Sequence, residues 1–174
     1  MNKLHVYAGE GKGKTTAAMG LALRSLGHGN RVLVAQFMKK GNSGELAALR
    51  TFENAVTITA EPVKGFTFRM SEDELSLTRA QQTTFARRAA EKIADWQPAT
   101  VVLDELGMAL ALNLVDETEA RRLIDAALAS GETVVTGRSV PAWLAERADY
   151  LSRIMAEKHP YAAEGLPARK GVEW

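Results

Sequence analysis

The sequence predicts an α/β protein with a mostly parallel sheet of about six strands and helices on both faces. Three observations support this prediction. Short apolar runs alternate with helical patterns along the whole chain, and a glycine-rich turn joins the first run directly to the first helical pattern. With 174 residues, of which 46% are hydrophobic, the chain is long enough to bury one sizeable core.

Six apolar runs are predicted to form the strands. Each is short, and each is separated from the next by a helical pattern or a long connection, which is typical of parallel neighbours. The predicted strands are residues 4–8, 31–37, 55–60, 100–104, 133–137 and 150–155.

The helix boundaries are indicated by capping residues. A helix over 14–26 is expected to end at Gly27-His28-Gly29, and one over 117–130 is expected to end at Gly131. The sequence Ser71-Glu72-Asp73-Glu74 resembles a capping box, which predicts a helix that continues past Ile93.

The last part of the chain, residues 156–174, has weak periodicity and contains two prolines and two glycines. It is predicted to be a loop-rich tail that packs over the sheet edge or a partner. Nothing in the length requires a second domain, so residues 1–174 are predicted to form a single nucleotide-binding domain.

The composition excludes several classes of function. Lys and Arg number 22 against 21 Asp and Glu, without a long basic block, so small anions are expected as partners rather than nucleic acid. The chain has no cysteine for a disulfide, a thiolate nucleophile or a thiolate metal site. No apolar run approaches membrane-spanning length, and the first strand starts so early that no signal sequence is expected. We therefore expect a cytoplasmic protein.

The glycine-rich turn is a candidate phosphate-binding loop. Residues 8–16 read Ala-Gly-Glu-Gly-Lys-Gly-Lys-Thr-Thr and lie between the first strand and the first helix. Because glycine has no Cβ, Gly9, Gly11 and Gly13 are expected to let the chain curl until backbone N–H groups face an anionic polyphosphate.

Two side chains of this loop carry the predicted chemistry. Lys14 is expected to reach the outer phosphates, and Thr15 to offer its hydroxyl group to Mg²⁺. The predicted ATP-binding residues are Gly9, Glu10, Gly11, Lys12, Gly13, Lys14, Thr15 and Thr16.

A second nucleotide signal lies at the end of the fourth predicted strand, where Asp104 and Glu105 follow three apolar residues. Together with Thr15, these carboxylates are predicted to hold Mg²⁺, which prefers oxygen ligands. Glu105 could alternatively polarise an attacking water, which would favour an ATPase. On composition alone, a buried strand that ends in a polar turn is also possible.

Arg138 follows the fifth predicted strand. The ends of parallel strands face one crevice, so this guanidinium is predicted to contact a phosphate and to stabilise a leaving group. The alternative is that it caps a helix or pairs with a surface acid. Lys39 and Lys40 follow the end of the second predicted strand, where they could approach the nucleotide or lie in a solvated loop.

Phe66 and Phe68 stand two residues apart between the third strand and the capping box. By composition alone, this spacing favours two side chains on one face of a strand, packed in the core.

Considered as a whole, the chain resembles the ATP:corrinoid adenosyltransferases, the family that makes adenosylcobalamin or its incomplete-corrin precursor. The resemblance extends essentially from end to end. The segments that carry it, in the family's order, are 11–16, 27–29, 34–39, 44–45, 65–68, 103–105, 136–138, 158–159 and 171–174.

The resemblance implies a RecA-like P-loop fold and a specific reaction. A cobalt(I) corrin, either cobalamin or cobyrinic acid a,c-diamide, attacks the 5′ carbon of ATP and releases triphosphate. Lys14 and Arg138 would be catalytic, while Phe66 and Phe68 would bind the corrinoid and keep the lower axial position of cobalt empty. The two lysines after the second predicted strand could also approach the carboxamides of the corrin. The resemblance also implies a flavoprotein or similar electron donor, and a homodimer.

Three other functions share some of these signals. A P-loop ATPase or kinase would act by phosphoryl transfer, a RecA-like motor would bind nucleic acid, and a corrinoid carrier would bind both ligands without chemistry.

Overall fold

The structure is a computed structural model that describes residues 1–172. Its strands form one sheet of order β3-β2-β4-β5-β1-β6, in which every pairing is parallel. The strands are β1 (Leu4–Ala8), β2 (Val32–Gln36), β3 (Ala55–Thr59), β4 (Thr100–Asp104), β5 (Glu132–Gly137) and β6 (Tyr150–Arg153). The six predicted strands are therefore confirmed. The last two residues of the family-like ending at 171–174 lie outside the described residues.

The three long helices are also confirmed, whereas four short ones were not predicted. Helices of five or six residues show too few turns to produce a periodic apolar stripe in the sequence. The helices are α1 (Lys14–Gly27), α2 (Gly44–Leu49), α3 (Glu72–Trp96), α4 (Leu106–Ala111), α5 (Glu117–Ser130), α6 (Ala142–Arg147) and α7 (Pro160–Glu164), with a 3-10 turn at Thr67–Arg69.

The predicted capping box starts α3. The Ser71 hydroxyl accepts the N–H of Glu74 at 3.3 Å, and the Glu74 carboxylate accepts the N–H of Ser71 at 2.8 Å. Each bond satisfies a backbone donor that the first helical turn leaves without an intrahelical partner.

The core occupies both faces of the sheet, because successive strand side chains point to opposite sides. On β4, Val101 and Leu103 pack in the cluster that includes side chains of α3, α4 and α5. Val102, between them, packs in the opposite cluster with side chains of α1 and α2. This arrangement confirms the prediction of a sheet covered on both faces.

The topology brings the two nucleotide signals to one edge of the sheet. The loop after β1 and the acidic end of β4 are separated by a single strand, β5. All three strands are parallel, so their carboxyl ends lie together, where open α/β sheets bind ligands. The fold is thus an α/β fold of the RecA-like P-loop kind.

From residue 156 to residue 172 the regular structure of the chain is the short helix α7, and most of the residues are exposed. Across residues 1–172, no helix combines the length and the hydropathy needed to cross a bilayer.

Replacing Ile93 with alanine tests the core. Ile93 on α3 is fully buried, so the cavity left behind should lower the free energy of unfolding by about 2–5 kcal/mol in a denaturant titration. Leu77→Ala on the exposed face of the same helix is the control and should change it by about 0.5 kcal/mol or less. Equal losses would contradict the assigned helix face.

Candidate nucleotide-binding site

The glycine-rich loop between β1 and α1 has a backbone that requires glycine. Gly9 and Gly13 have φ of 111° and 118°, in the left-handed region that L side chains rarely adopt. A Cβ on Gly9 would also lie 2.5 Å from the carbonyl oxygen of Ile154, the residue that follows β6. The loop is therefore in close contact with the neighbouring edge strand.

Two N–H groups of this loop bind protein rather than facing a ligand. The N–H of Gly9 donates to the carbonyl of Arg138 at 3.0 Å, and that of Gly11 donates to the carbonyl of Ile154 at 2.8 Å. The expectation that the N–H groups near all three glycines face a phosphate therefore does not hold for these two. The N–H groups at the start of α1 remain, since a first helical turn leaves its donors without intrahelical partners.

Lys14 begins α1 and lines a cavity of about 520 Å³. Its ammonium group donates to the carbonyl of Gly11 at 2.7 Å, across the loop. Burial lowers the pKa of the Lys14 ammonium below its usual value, and the charge of Glu105 opposes this shift. The other lining residues are Lys12, Gly13, Thr15, Thr16, Gln36, Met38, Lys39, Lys40, Asn42, Ser43, Glu45, Pro62, Val63, Glu105 and Val172.

Asp104 is fully buried at the end of β4 and accepts hydrogen bonds from four side chains. Its Oδ1 accepts the hydroxyls of Thr15 at 2.9 Å and Thr136 at 2.7 Å. Its Oδ2 accepts Gln36 Nε2 at 2.9 Å and Lys39 Nζ at 2.8 Å. Burial alone would raise the pKa of this carboxyl, but the Lys39 charge and the hydrogen bonds hold it below its usual range.

Glu105 adopts the left-handed conformation, with φ of 63°, immediately after β4. Its N–H donates to the Thr136 hydroxyl at 2.9 Å, and its carboxylate lies in the cavity, 3.7 Å from Lys39 Nζ. Burial raises the pKa of Glu105 above its usual value, although the Lys39 charge opposes the shift. A backbone outlier of this kind is typical of functional sites.

Arg138 lies beside the loop but not in the cavity wall. Its side chain is 61% exposed, and its Nε lies 3.1 Å from a carboxylate oxygen of Glu10. In this structure it therefore makes the surface ion pair that the sequence left open as an alternative. Glu10 belongs to the loop, so the pair holds the guanidinium beside the loop, where its charge also contributes to the lowered pKa of Lys14.

Phe66 and Phe68 are exposed, with 62% and 77% of their surface accessible. Phe66 precedes a short 3-10 turn and Phe68 lies within it. Their ring centroids are 5.2 Å apart, and the Arg69 guanidinium lies 5.7 and 5.6 Å from the centroids of Phe66 and Phe68. The interpretation from composition alone, two side chains of a strand packed in the core, is therefore wrong.

The sequence analysis did not name Gln36 or Thr136 as candidate site residues, and it gave Lys39 no side chain to contact. One signal for Gln36 is available: it is a polar residue at the end of an otherwise apolar strand, and it pairs in register with Asp104. Thr136 and Lys39 could not be assigned to Asp104 without knowing that β4 lies between β2 and β5.

The fold and this site define a P-loop nucleotide-binding protein. A strand leads through a glycine-rich loop into a helix, and the Lys-Thr pair of that helix faces an acidic strand end across one intervening strand.

The comparison with known proteins identifies the family. The family model described as ATP:corrinoid adenosyltransferase BtuR/CobO/CobP matches residues 1–174. The chain belongs to this family of transferases, whose reaction is adenosyl transfer from ATP to a corrinoid.

Individual relatives agree with the family match. The chain is 36% identical to a corrinoid adenosyltransferase of Pseudomonas aeruginosa over 98% of its own length and 83% of the relative's. It is 31% identical to one from Escherichia coli strain K12 over 97% of this chain and 84% of the relative. A corrinoid adenosyltransferase from Salmonella typhimurium is 32% identical, with the same coverage of 97% and 84%.

Replacing Gly9 with alanine tests the loop geometry. The new methyl group would contact the Ile154 carbonyl and adopt a φ that alanine disfavours, so we expect the affinity for ATP and the melting temperature to fall. Gly20→Ala on the open face of α1 is the control and should leave ATP binding unchanged while stabilising the helix by about 0.5–1 kcal/mol. Calorimetric titration with ATP and thermal melting measure both; unchanged ATP affinity in Gly9→Ala would contradict the assignment.

Proposed function

We propose that this chain binds ATP at the carboxyl ends of β1, β4 and β5 and transfers its 5′-deoxyadenosyl group to the cobalt(I) of a corrinoid, releasing triphosphate. The corrinoid is cobalamin or cobyrinic acid a,c-diamide. The observation that carries the proposal is the contact of Thr15 with Asp104 at 2.9 Å, beside Lys14, in a chain that matches the adenosyltransferase family from end to end.

The chemistry requires no nucleophile from the protein. The cobalt(I) electron pair forms a bond to the 5′ carbon, and the bond from that carbon to the triphosphate oxygen breaks with its electrons. The protein's task is to orient the two substrates and to stabilise the departing anion. We assign the second role to Lys14, which lines the cavity, and to Arg138, which lies beside the loop, once Arg138 exchanges Glu10 for a phosphate oxygen.

The oxygen atoms beside the loop fit a magnesium ion. The hydroxyl of Thr15 and the carboxylate of Asp104 converge, and Glu105 adds a second carboxylate in the same cavity. Mg²⁺ held there would neutralise phosphate charge on the bound nucleotide. We propose Thr15 and Asp104 as its ligands, with Glu105 as a further candidate.

Phe66 and Phe68 are proposed to bind the corrinoid. Their exposed, stacked rings offer an apolar surface outside the nucleotide cavity, which suits one face of a tetrapyrrole. Rings in that position would keep the lower axial site of cobalt empty. This raises the cobalt(II) reduction potential, so that a flavoprotein or similar donor can supply the electron.

Phosphoryl transfer by a P-loop ATPase or kinase is the second candidate. The carboxylate of Glu105 favours it, since it lies in the cavity with a raised pKa and could position a water. The family match favours adenosyl transfer.

We further propose that residues 1–174 act as a single domain, and that the enzyme is a cytoplasmic homodimer that binds neither nucleic acid nor membranes.

Product analysis tests the proposed reaction. The protein is incubated with ATP, Mg²⁺ and chemically reduced cobalamin or cobyrinic acid a,c-diamide, and the products are separated by chromatography. We expect triphosphate and the adenosylated corrin in equal amounts. The Lys14→Ala variant should lose both products together with ATP affinity. ADP formed without corrinoid would overturn the proposal in favour of phosphoryl transfer.

Replacing Phe66 and Phe68 with alanine tests the corrinoid site. Both rings are exposed, so the double variant should fold normally and bind ATP with unchanged affinity. Turnover that starts from cobalt(II) with a reductase should fall more than turnover from chemically supplied cobalt(I). Equal losses in the two assays would contradict a role in controlling the axial position.

A further inference from the structure

The ammonium group of Lys39 lies in the candidate metal site, close to the oxygen atoms of its proposed ligands. Its Nζ is 2.8 Å from Asp104 Oδ2, 3.2 Å from the Thr15 hydroxyl and 3.7 Å from Glu105 Oε1. These are the oxygen-bearing residues proposed above to hold Mg²⁺. The ammonium group and the metal would therefore bind to the same groups.

The backbone turn before Lys39 positions its side chain beside Asp104. Met38, the preceding residue, adopts the left-handed conformation with φ of 62°. That turn is held on both sides, because the N–H of Met38 donates to Gln82 Oε1 at 3.2 Å and the N–H of Val63 donates to the carbonyl of Met38 at 3.0 Å. A conformation that costs energy and is fixed by neighbouring elements is typical of a functional position.

The electrostatics require a counter-ion at this point. Asp104 is fully buried, and Glu105 is largely buried beside it. A buried carboxylate is costly unless it is paired, and the Lys39 ammonium provides the pairing charge at hydrogen-bonding distance. A divalent cation at the same oxygens would satisfy this requirement better, and it would repel an ammonium group within a few ångströms.

We propose that Lys39 is an exchangeable counter-ion of the metal site: it occupies Asp104 in the nucleotide-free protein, excludes free Mg²⁺, and is displaced when Mg²⁺ arrives with ATP. This inference rests on the proposed nucleotide and metal site. The displaced ammonium stays in the cavity, since Lys39 and Lys14 both line it, and it binds the triphosphate. Lys39 thus makes metal binding depend on the nucleotide and adds a cation for the leaving group.

Metal binding without nucleotide tests the proposal. Mn²⁺ is titrated into the nucleotide-free wild type and the Lys39→Met variant, and free Mn²⁺ is measured by electron paramagnetic resonance, with Mg²⁺ as competitor. Loss of a competing charge next to a divalent ion should tighten Mn²⁺ binding about tenfold or more. Mg²⁺ alone should also raise the melting temperature of Lys39→Met, but not that of the wild type.

Two matched variants separate exchange from other effects. Lys39→Arg keeps the positive charge and should bind Mn²⁺ as weakly as the wild type. Lys40→Met removes one charge from the exposed neighbour that lines the same cavity, and should not tighten binding. Unchanged binding in Lys39→Met, or equal tightening in either control, would overturn the proposal.

Crystal structures of the wild type provide a readout that does not depend on how the variants fold. With a non-hydrolysable ATP analogue and Mg²⁺, Lys39 Nζ should lie beyond about 4 Å from Asp104, with a metal between Thr15 and Asp104. A lysine that stays on Asp104 beside the bound metal would overturn the inference. The product analysis above is independent of this outcome, so failure of the adenosyl transfer and failure of the exchange are distinguishable.

Discussion

The arrangement of the candidate site depends on the burial of one carboxylate. Asp104 has no accessible surface, and four side chains donate to it from different parts of the fold. Thr15 comes from the first helix, Gln36 and Lys39 from the end of β2 and the residues after it, and Thr136 from β5. Because a buried charge must be paired and hydrogen-bonded, these elements are held in one relative position. The nucleotide loop is thereby fixed against the acidic strand.

A second set of contacts holds the other side of the loop. The N–H groups of Gly9 and Gly11 donate to carbonyl groups at the ends of β5 and β6, and the absence of a Cβ on Gly9 allows that close approach. The loop is therefore held on one side by backbone bonds and on the other by Asp104. Two of its N–H groups are used in this anchoring, whereas the donors of the first helical turn have no intrahelical partner. Rigid placement of this kind suits a reaction in which the protein orients its substrates and stabilises a leaving group.

Much of the fold could be predicted because its signals are local. The six strands are short apolar runs, the long helices carry caps such as Ser71 and Glu74, and the glycine-rich loop has a defined spacing. The short helices α2 and α6 could not be predicted, since six residues show too little periodicity. The exposure of Phe68 was not predicted from composition, because an i, i+2 pair of aromatic residues is also the spacing of two side chains on one face of a buried strand. The turn became evident only from the exposed rings in the structure.

The sequence by itself determined the class of protein, because strand, loop, helix and acidic strand end are each encoded in consecutive residues. It also carried the family's motifs in order, so the expected reaction followed from the resemblance and agrees with the family match. Only the tertiary structure decided which groups meet. The contacts of Asp104 with Gln36, Lys39 and Thr136 join residues 68, 65 and 32 positions apart, and they depend on β4 lying between β2 and β5. Contacts across a sheet follow from strand order, a property of the packed core that no local stretch of sequence contains.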